Sequence, residues 1–369
     1  MSTSTSTSTF PPNPKPNHII ILGAGITALQ TAVYLQRAGY STTIVAEHTP
    51  GDESGLYTSP WAGAQWRSHA GEDEREEQEW DRETYEEWMG TVRRGEGGRS
   101  GLGIVPSTNY WSSPTAPLPW WHNLVEYFHV LSPFQCLPPT QSAVSFSTIC
   151  INVPLHLQYL LASFHTAGGK LVKARLPTDT GFSGALKAAA ALAKDASFGE
   201  VCCFINATGL GAKTLVPDAG MFPVKGQTVL VRGEAKSATT LVDGDRYVIP
   251  RPGSGTTILG GTREKGDWDT SVDDTTTKAI LEGCKVLAPE LLGKDGEFEV
   301  LSVQCGLRPA REGGARVEGE ILEGGEKVVH SYGHAGAGYQ NAVGCARKVV
   351  RLVKELKEQE DQVSGKARL

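Results

Sequence analysis

The stretch HIIILGAGITALQTAVYLQRAGYSTTIVAE, residues 18–47, decides the fold. It begins with an apolar run of strand length, continues with apolar residues at helical spacing as far as Gly39, and ends in a second apolar strand. A strand, a helix and a strand in this order form a βαβ unit, which belongs to a parallel sheet. The sequence therefore predicts an α/β fold that opens on this unit.

The turn after the first strand has the composition of a nucleotide-binding turn. Residues 23–28, GAGITA, fit the pattern GxGxx(G/A). Gly23 permits a tight turn, and Gly25 lets a pyrophosphate approach the backbone, where the positive end of the next helix attracts it. Glu47 ends the second strand, where its carboxylate can accept hydrogen bonds from ribose hydroxyls and would repel a 2′-phosphate. These residues predict a dinucleotide site and disfavour NADP, while FAD and NAD both remain open.

Composition narrows the class of protein. The chain has 369 residues, 39% of them apolar, and a formal net charge of -6, so we expect no nucleic-acid partner. No apolar run reaches the roughly 18 residues of a membrane-spanning helix, so we expect no membrane contact. The seven cysteines follow neither a disulfide framework nor a zinc pattern. We therefore predict mostly buried, reduced thiols and no metal site.

Three further stretches predict the remaining architecture. Residues 71–89 place Trp80, Thr84 and Trp88 on one face of an acidic, amphipathic surface helix. Several segments between residues 226 and 314 have the pattern of strands in an antiparallel or mixed sheet. Residues 340–359, QNAVGCARKVVRLVKELKEQ, carry the apolar stripe of a long helix, which follows the glycine-rich YGHAGAG.

Seven longer motifs occur along the chain: SPWAGAQW (59–66), NATGLGA (206–212), GQTVLV (226–231), YVIPRPG (247–253), GGTREKGDWD (260–269), GLRPAREGGARVE (306–318) and VVHSYGHAGAGYQ (328–340). Together they resemble the D-amino-acid oxidase family, including its fungal members. The motifs occur in the family's order and the resemblance covers about residues 18–354. Because that family binds FAD without a covalent bond, the resemblance implies FAD. It also implies oxidation of a D-amino acid by hydride transfer from Cα to flavin N5, with O₂ as the acceptor and a 2-oxo acid, ammonia and H₂O₂ as products.

The predicted fold is α/β, with two domains. Residues 18–66, 143–220 and 306–357 are expected to form a discontinuous Rossmann-like FAD-binding domain. Residues 67–142 and 221–305 are expected to form a substrate domain on a mixed, largely antiparallel sheet. Residues 1–17, rich in Ser, Thr and Pro, predict a disordered leader, and residues 358–369 a C-terminal tail.

The candidate catalytic residues are Arg308, Tyr247 and Gly336. A guanidinium such as that of Arg308 can hold a carboxylate with two parallel N–H bonds, which lysine cannot reproduce. By resemblance, Tyr247 donates its hydroxyl to the same carboxylate, and the carbonyl of Gly336 accepts a hydrogen bond from the substrate amine. Hydride transfer from a neutral amine needs no general base, so His334 is not assigned a catalytic role.

The cofactor residues combine the first turn with the motifs of the resemblance. The segment 59–66 is expected to wrap the cofactor, and the loop 336–340 to line the flavin or the substrate pocket. The predicted cofactor-binding residues are Gly23, Ala24, Gly25, Ile26, Glu47, His48, Ser59, Gly63, Ala64, Gln65, Gly209, Gly336, Gly338, Tyr339 and Gln340.

The side chain of the substrate is less well defined by the sequence. Arg263 and Gln340 are predicted to line the substrate pocket, and GGTRxKGDW around Arg263 resembles the D-aspartate oxidases, whose arginine there faces an acidic side chain. A second arginine of that group has no counterpart at Val242, although Arg246 lies close by. Because AGAGYQ and PAREGG look more like fungal D-amino-acid oxidases, we expect neutral D-amino acids, with acidic ones as the alternative.

The C-terminal tripeptide Ala367-Arg368-Leu369 has the small–basic–leucine pattern of a peroxisomal address. It predicts a peroxisomal location and the import receptor as a partner, and a homodimer is the assembly we expect. Two rival functions remain: an NAD-dependent dehydrogenase, and a flavin-binding or dinucleotide-binding sensor without turnover.

Overall fold

A computed structural model describes residues 17–115, 118–195 and 197–366. Its strands form two sheets. In chain order the strands are β1 (His18–Leu22), β2 (Ser41–Ala46), β3 (Leu102–Trp111), β4 (His129–Val130), β5 (Ser142–Ile151), β6 (Lys170–Lys173), β7 (Val201–Asn206), β8 (Met221–Arg232), β9 (Ala238–Leu241), β10 (Arg246–Arg251), β11 (Thr256–Gly260), β12 (Glu264–Lys265), β13 (Val300–Arg311), β14 (Arg316–Ile321) and β15 (Lys327–Tyr332). The helices are α1 (Ile26–Arg37), α2 (Arg75–Arg93), α3 (Gly97–Ser100), α4 (Val153–Thr166), α5 (Gly181–Leu192), α6 (Ala212–Leu215), α7 (Asp274–Cys284) and α8 (Ala342–Lys366).

The first sheet contains the predicted βαβ unit. Its six strands run in the order β14-β15-β7-β1-β2-β6, and all neighbours are parallel except the β14–β15 hairpin. β1 is buried along its whole length, as a central parallel strand covered on both faces must be. Helix α1 packs against α4 and α8. The α/β class and the opening unit are therefore confirmed.

The second sheet is mixed and largely antiparallel, as predicted. Its path runs β12-β8-β11-β10-β9-β3-β5-β4, and β13 also pairs with β8. The contact between β3 and β9 is parallel, and the other pairings are antiparallel. This sheet carries the strands on which Tyr247 and Arg308 lie.

Two strands cross the domain boundaries that the sequence suggests. The boundaries at residues 143 and 306 fall inside β5 and β13, and both strands are paired within the second sheet. Several residues of β5, among them Phe146 and Ile149, belong to the apolar core that also contains residues of β1 and α1. The composition of β5 therefore suits a strand of either sheet, and only the hydrogen-bonded partner distinguishes them.

Helix α2 has the predicted amphipathic pattern and packs between α8 and the strands β3 and β5 of the second sheet. Trp80, Thr84 and Trp88 are buried, and the helix lies against α8. Gly344 of α8 makes this approach possible, because a Cβ there would lie 2.2 Å from the Cα of Trp80. Helix α2 thus contacts an element of the nucleotide-binding domain, although residues 67–142 are predicted as substrate domain.

Some properties concern the described residues as a whole. None of their helices combines the length and apolar character needed to cross a membrane. In the same part of the chain, no cluster of three or more His, Cys, Asp or Glu side chains could hold a metal ion. Within the described ranges no two cysteines form a disulfide, and five of the seven are buried. The leader up to residue 16 and the tripeptide at 367–369 lie outside the described residues.

Candidate active site

A cavity of about 1010 Å³ is lined by residues of both sheets. The nucleotide-binding turn, the end of β2, the segment 56–65 and the loop 331–340 all contribute to its wall, and so do Tyr247 and Arg308. Every residue predicted to bind the cofactor or the substrate lines this one cavity. Sequence segments more than 250 residues apart therefore meet around it.

The turn after β1 requires glycine for two different reasons. Gly23 has φ +100°, and a Cβ there would lie 2.5 Å from the carbonyl oxygen of Ala207. Gly25 is the N-cap of α1, has no capping side chain, and would carry a Cβ 2.9 Å from the Ser59 hydroxyl. That hydroxyl accepts a hydrogen bond from the backbone N–H of Ile26 at 3.0 Å. The first turn of α1 thus meets the cavity through backbone groups.

The end of β2 adds an acid with a basic neighbour. Glu47 lines the cavity, and its carboxylate lies 3.6 Å from the guanidinium of Arg175, which lines it too. His48 stacks at 6.1 Å between ring centroids on Tyr57, whose hydroxyl donates to the carbonyl of Ala24 at 2.7 Å. Arg175 was not predicted, because it belongs to the loop after β6 and only the parallel β2–β6 pairing brings it to Glu47.

The loop before α8 closes another part of the wall. The hydroxyl of Tyr339 donates to the carbonyl of Ser59 at 2.9 Å, and a Cβ on Gly338 would lie 3.8 Å from the Ile26 side chain. The predicted cofactor segments are therefore in mutual contact. An isolated β-bridge between Ala310 and His334 joins this loop to β13.

The cavity fits a dinucleotide with an extended ring system. Its volume is at the upper end for small-molecule sites. Gly23 leaves backbone exposed where a side chain would intrude, and buried His334 has an Nε2 without a partner among the described residues. Burial lowers the pKa of His334 to about 4, so the imidazole is neutral near pH 7 and can contact an uncharged ring.

Arg308 is held by backbone groups next to the second predicted substrate residue. Its Nη1 donates to the carbonyls of Thr262 at 3.0 Å and Lys225 at 3.4 Å. Gly226 leaves room for the guanidinium, because a Cβ there would lie 2.4 Å from both terminal nitrogens. A Cβ on Gly336 would lie 3.7 Å from Cδ of Arg308, so the predicted amine acceptor is close to the predicted carboxylate anchor.

Tyr247 lies against two glycines of the neighbouring strand and turn. It is opposite Gly260 in the β10–β11 register, where a Cβ would lie 2.0 Å from Cζ of the ring. A Cβ on Gly261 would lie 2.7 Å from the phenolic oxygen. A side chain at either glycine would collide with the Tyr247 ring, so the two glycines of the motif GGT are needed for the ring to lie in the cavity wall.

Arg67 and His69 also line the cavity and were not predicted from the sequence. Partial burial, and next the neighbouring Arg263, lower the pKa of Arg67 to about 10, which still leaves it charged at neutral pH. His69 is exposed to the cavity, where the surrounding protein atoms, and next the charges of Arg67, Arg263 and Arg308, lower the pKa of its imidazole. The sequence does contain a signal for these two residues. Arg67 and His69 directly follow the motif SPWAGAQW (59–66), whose last residue, Trp66, is buried, and they alternate along the chain as residues on one side of an extended segment do.

Arg263 lines the cavity, as predicted for the substrate pocket, and is half exposed. Its Nε lies 3.1 Å from the carboxylate of Asp245. Arg246, the nearby cation, instead donates to the carbonyls of Gly261 and Ala279 and is not part of the cavity wall. Of the two arginines Arg67 and Arg246, only Arg67 lines the cavity together with Arg263.

Comparison with known proteins identifies the family. The family model described as FAD dependent oxidoreductase (DAO) matches residues 18–352. The chain belongs to this family. FAD is therefore the cofactor, as predicted, and the first turn, the β2 end and the loop 336–340 are the residues that would hold it.

Individual relatives of this FAD-dependent oxidoreductase cover almost the whole chain. A D-amino-acid oxidase of Fusarium vanettenii is 32% identical over 362 residues, which is 91% of this chain and 96% of the relative. A D-aspartate oxidase of Talaromyces thermophilus is 31% identical over 368 aligned residues, and the match covers 92% of this chain and 95% of the relative. Among solved structures, glycine oxidase from Bacillus cereus ATCC 14579 has a TM-score of 0.69 at 17% identity, covering 92% of this chain and 95% of that one. This last likeness supports the fold alone.

Proposed function

We propose that the chain is an FAD-dependent oxidase that deaminates D-amino acids, giving 2-oxo acids, ammonia and H₂O₂. The observation that carries this proposal is the fixed guanidinium of Arg308, which faces the cavity beside Tyr247 and Gly336. The similarity to a D-amino-acid oxidase and a D-aspartate oxidase over more than nine-tenths of the chain supports the same reaction.

The residues of the chain bind and orient the substrate. Arg308 would pair with the α-carboxylate, and the Tyr247 hydroxyl would donate to the same group. The Gly336 carbonyl would accept a hydrogen bond from the neutral amine. With the carboxylate and the amine both held, only one enantiomer would direct its Cα–H toward the hydride acceptor. When bound, the flavin supplies the acceptor for the Cα hydride and passes the two electrons to O₂. The imino acid product then hydrolyses in water.

Flavin absorbance tests this function. We expect purified protein to be yellow, to lose its visible absorption under anaerobic D-amino acid, and to regain it when air is admitted. Colourless protein whose activity requires added NAD would support a dehydrogenase instead. A flavin that stays oxidised with every D-amino acid tried would support a non-catalytic sensor.

For the substrate class we propose acidic D-amino acids, the alternative that the sequence left open. Arg67, Arg263 and Arg308 place three positive charges around His69 in one part of the cavity wall, and His69 is neutral near pH 7. Asp245 forms its ion pair with Arg263 and only opposes the lowering of the Arg67 pKa, and Arg67 forms no ion pair with any described residue. The α-carboxylate of the substrate would pair with Arg308, and the positive charge of Arg67 would remain unpaired. A second carboxylate, as in D-Asp or D-Glu, would match it, and buried charge is costly without such a partner.

A substrate panel tests this choice. Initial rates of H₂O₂ release with D-Asp, D-Glu, D-Ala and D-Met should give kcat/KM values about a hundredfold higher for the acidic pair, since one charged hydrogen bond is worth roughly 1.5–3 kcal/mol. A preference for D-Ala or D-Met would overturn the proposal and return to the neutral substrates expected from AGAGYQ and PAREGG.

We also propose a peroxisomal location, with Ala367-Arg368-Leu369 read by the import receptor. An H₂O₂-producing reaction suits a compartment that destroys H₂O₂. A fluorescent protein fused to the N-terminus should be peroxisomal, and removal of the tripeptide should leave it in the cytosol. The homodimer remains a prediction, which sedimentation velocity of the purified chain would check.

A further inference from the structure

Helix α2 carries a buried carboxylate that the proposed chemistry does not use. Asp81 is 0% exposed. One carboxylate oxygen accepts a hydrogen bond from the side-chain amide of Asn341 at 2.6 Å, and the other accepts from the side-chain amide of Gln340 at 3.1 Å. Gln340 lines the cavity and Asn341 directly follows it. Asp81 therefore holds the end of the loop that closes the cofactor site.

The next turn of α2 fastens the start of α8. The Thr84 hydroxyl oxygen lies 3.2 Å from the backbone nitrogen of Val343 and 3.3 Å from that of Gly344, and accepts from both. These N–H groups belong to the first turn of α8, where no intrahelical carbonyl is available to them. Because α8 begins at Ala342, the loop 333–341 and the first turn of α8 are held by the same face of α2.

Asp81 also reaches the second cofactor segment. The indole N–H of Trp66 donates to the backbone carbonyl of Asp81 at 2.9 Å, and the Ser68 side chain lies close enough to the Asp81 carboxylate to act on its pKa. Trp66 and Ser68 follow the cavity-lining residues 61–65 and flank Arg67. One residue of α2 thus joins the segment 61–69 to the loop 333–341, which are far apart in sequence.

The number of donors explains why the residue is an acid. Two amide groups donate to the Asp81 side chain, one to each oxygen, and a carboxylate can accept both while donating none. Burial raises the pKa of Asp81 to about 7, while hydrogen bonds from Ser68, Gln340 and Asn341 oppose the rise. A buried carboxylate destabilises the fold unless its partners compensate, so its presence points to a role in positioning.

We propose that Asp81 is a positioning residue for the cofactor: it sets the loop 333–341 against the segment 61–69 at the spacing that FAD requires. The inference rests on the proposed function, since it places FAD between these two segments. Asp81 lines no part of the cavity itself and acts through Gln340, Asn341 and Ser68.

The first variant is Asp81→Asn, which keeps the volume but replaces one acceptor by a donor. The new amide would face the amide of Gln340 or Asn341, so one hydrogen bond is lost and two donors oppose each other. We expect the Kd of the apoprotein for FAD, measured by quenching of flavin fluorescence, to rise about tenfold or more. The visible spectrum of the bound flavin should shift as well.

A second variant restores the pairing with the groups exchanged. When Asp81→Asn is combined with Asn341→Asp, the new carbonyl at position 81 can accept from Gln340, and the new amide there can donate to the carboxylate introduced at position 341. Asn341→Asp alone places two carboxylates against each other and should also weaken FAD binding. The double variant should recover most of the wild-type Kd, which makes the coupling energy of the two sites measurable.

Glu86→Gln is the matched control, because this acid lies on the exposed face of the same helix and pairs with Arg82. It should leave the Kd unchanged. If Asp81→Asn changes the Kd less than twofold, or lowers apoprotein stability without changing Kd or spectrum, the positioning role is wrong. It is also wrong if the double variant binds no better than Asp81→Asn. Wild-type apoprotein that binds no FAD would instead refute the proposed function.

Discussion

The guanidinium of Arg308 is fixed by two backbone carbonyls, so its orientation is set before any substrate enters. Arg308→Lys keeps the charge but loses the two parallel N–H bonds, and we expect kcat/KM for D-amino acids to fall about 10- to 100-fold. Arg308→Leu should abolish turnover. Stopped-flow reduction of the flavin measures both, and Arg246→Lys, outside the cavity, is the control. An Arg308→Leu enzyme with full turnover would refute the assigned role.

Arg67 tests the substrate class separately. Arg67→Gln removes a cavity cation that forms no ion pair within the described ranges and that we assign to the substrate side chain, so kcat/KM for D-Asp should fall about a hundredfold while that for D-Ala changes little. Arg246→Gln again serves as control, because its guanidinium binds backbone carbonyls outside the cavity wall. An equal loss for both substrates would mean that Arg67 supports the structure of the site and does not select the side chain.

Asp81 should make stability depend on pH. Its pKa is about 7 in the folded chain and ordinarily 3.8, so the folded state binds more protons between these values. The contribution of Asp81 to the unfolding free energy is therefore largest below pH 4 and decreases, by about 4 kcal/mol at most, as pH rises to 7. Denaturant unfolding at pH 4.5–8 should show the wild type losing its advantage over Asp81→Asn as pH rises. A constant difference would contradict the raised pKa.

At the scale of elements, the turns before and after α1 offer a matched pair of glycines. Gly23 and Gly39 have φ of +100° and +91°, but only Gly23 would place a Cβ against backbone, 2.5 Å from the Ala207 oxygen. Both alanine variants should lose about 1 kcal/mol of stability from the positive φ. Gly23→Ala should in addition weaken FAD binding at least tenfold, whereas Gly39→Ala should not. Equal Kd values for FAD would show that the turn does not meet the cofactor.

Elements with a strong local pattern could be predicted from the sequence. The apolar run 18–22, the buried face Trp80, Thr84 and Trp88 of α2, and the stripe of α8 all come from periodicity within one element. Sheet membership could not be predicted in the same way. β5 presents Phe146 and Ile149 to the core of the first sheet but forms its hydrogen bonds in the second. The composition of a strand does not show which strand it pairs with. The predicted domain boundaries at residues 143 and 306 therefore fall within strands.

At the scale of the whole molecule, the candidate site depends on which segments meet. Arg308, Tyr247 and the loop 336–340 were found because they lie in long motifs that resemble one family. Arg67, His69 and Arg175 lie outside those motifs, and only the assembled cavity brings them to the same wall. Asp81 was missed for a related reason, since an acid in a helix rich in acids resembles a solvated surface until its burial is known.

The β-bridge pairs Ala310, two residues after Arg308 on β13, with His334, two residues before Gly336 in the loop before α8. The two groups proposed to grip the acid and the amine of the substrate are therefore spaced by peptide geometry and by one backbone pairing. Substitutions in the apolar core that packs against β1 and α1 should change the affinity for substrate and the thermal stability of the protein before they change its discrimination between enantiomers. In a library of such variants, the ratio of D- to L-enantiomer turnover should stay nearly constant while melting temperature varies.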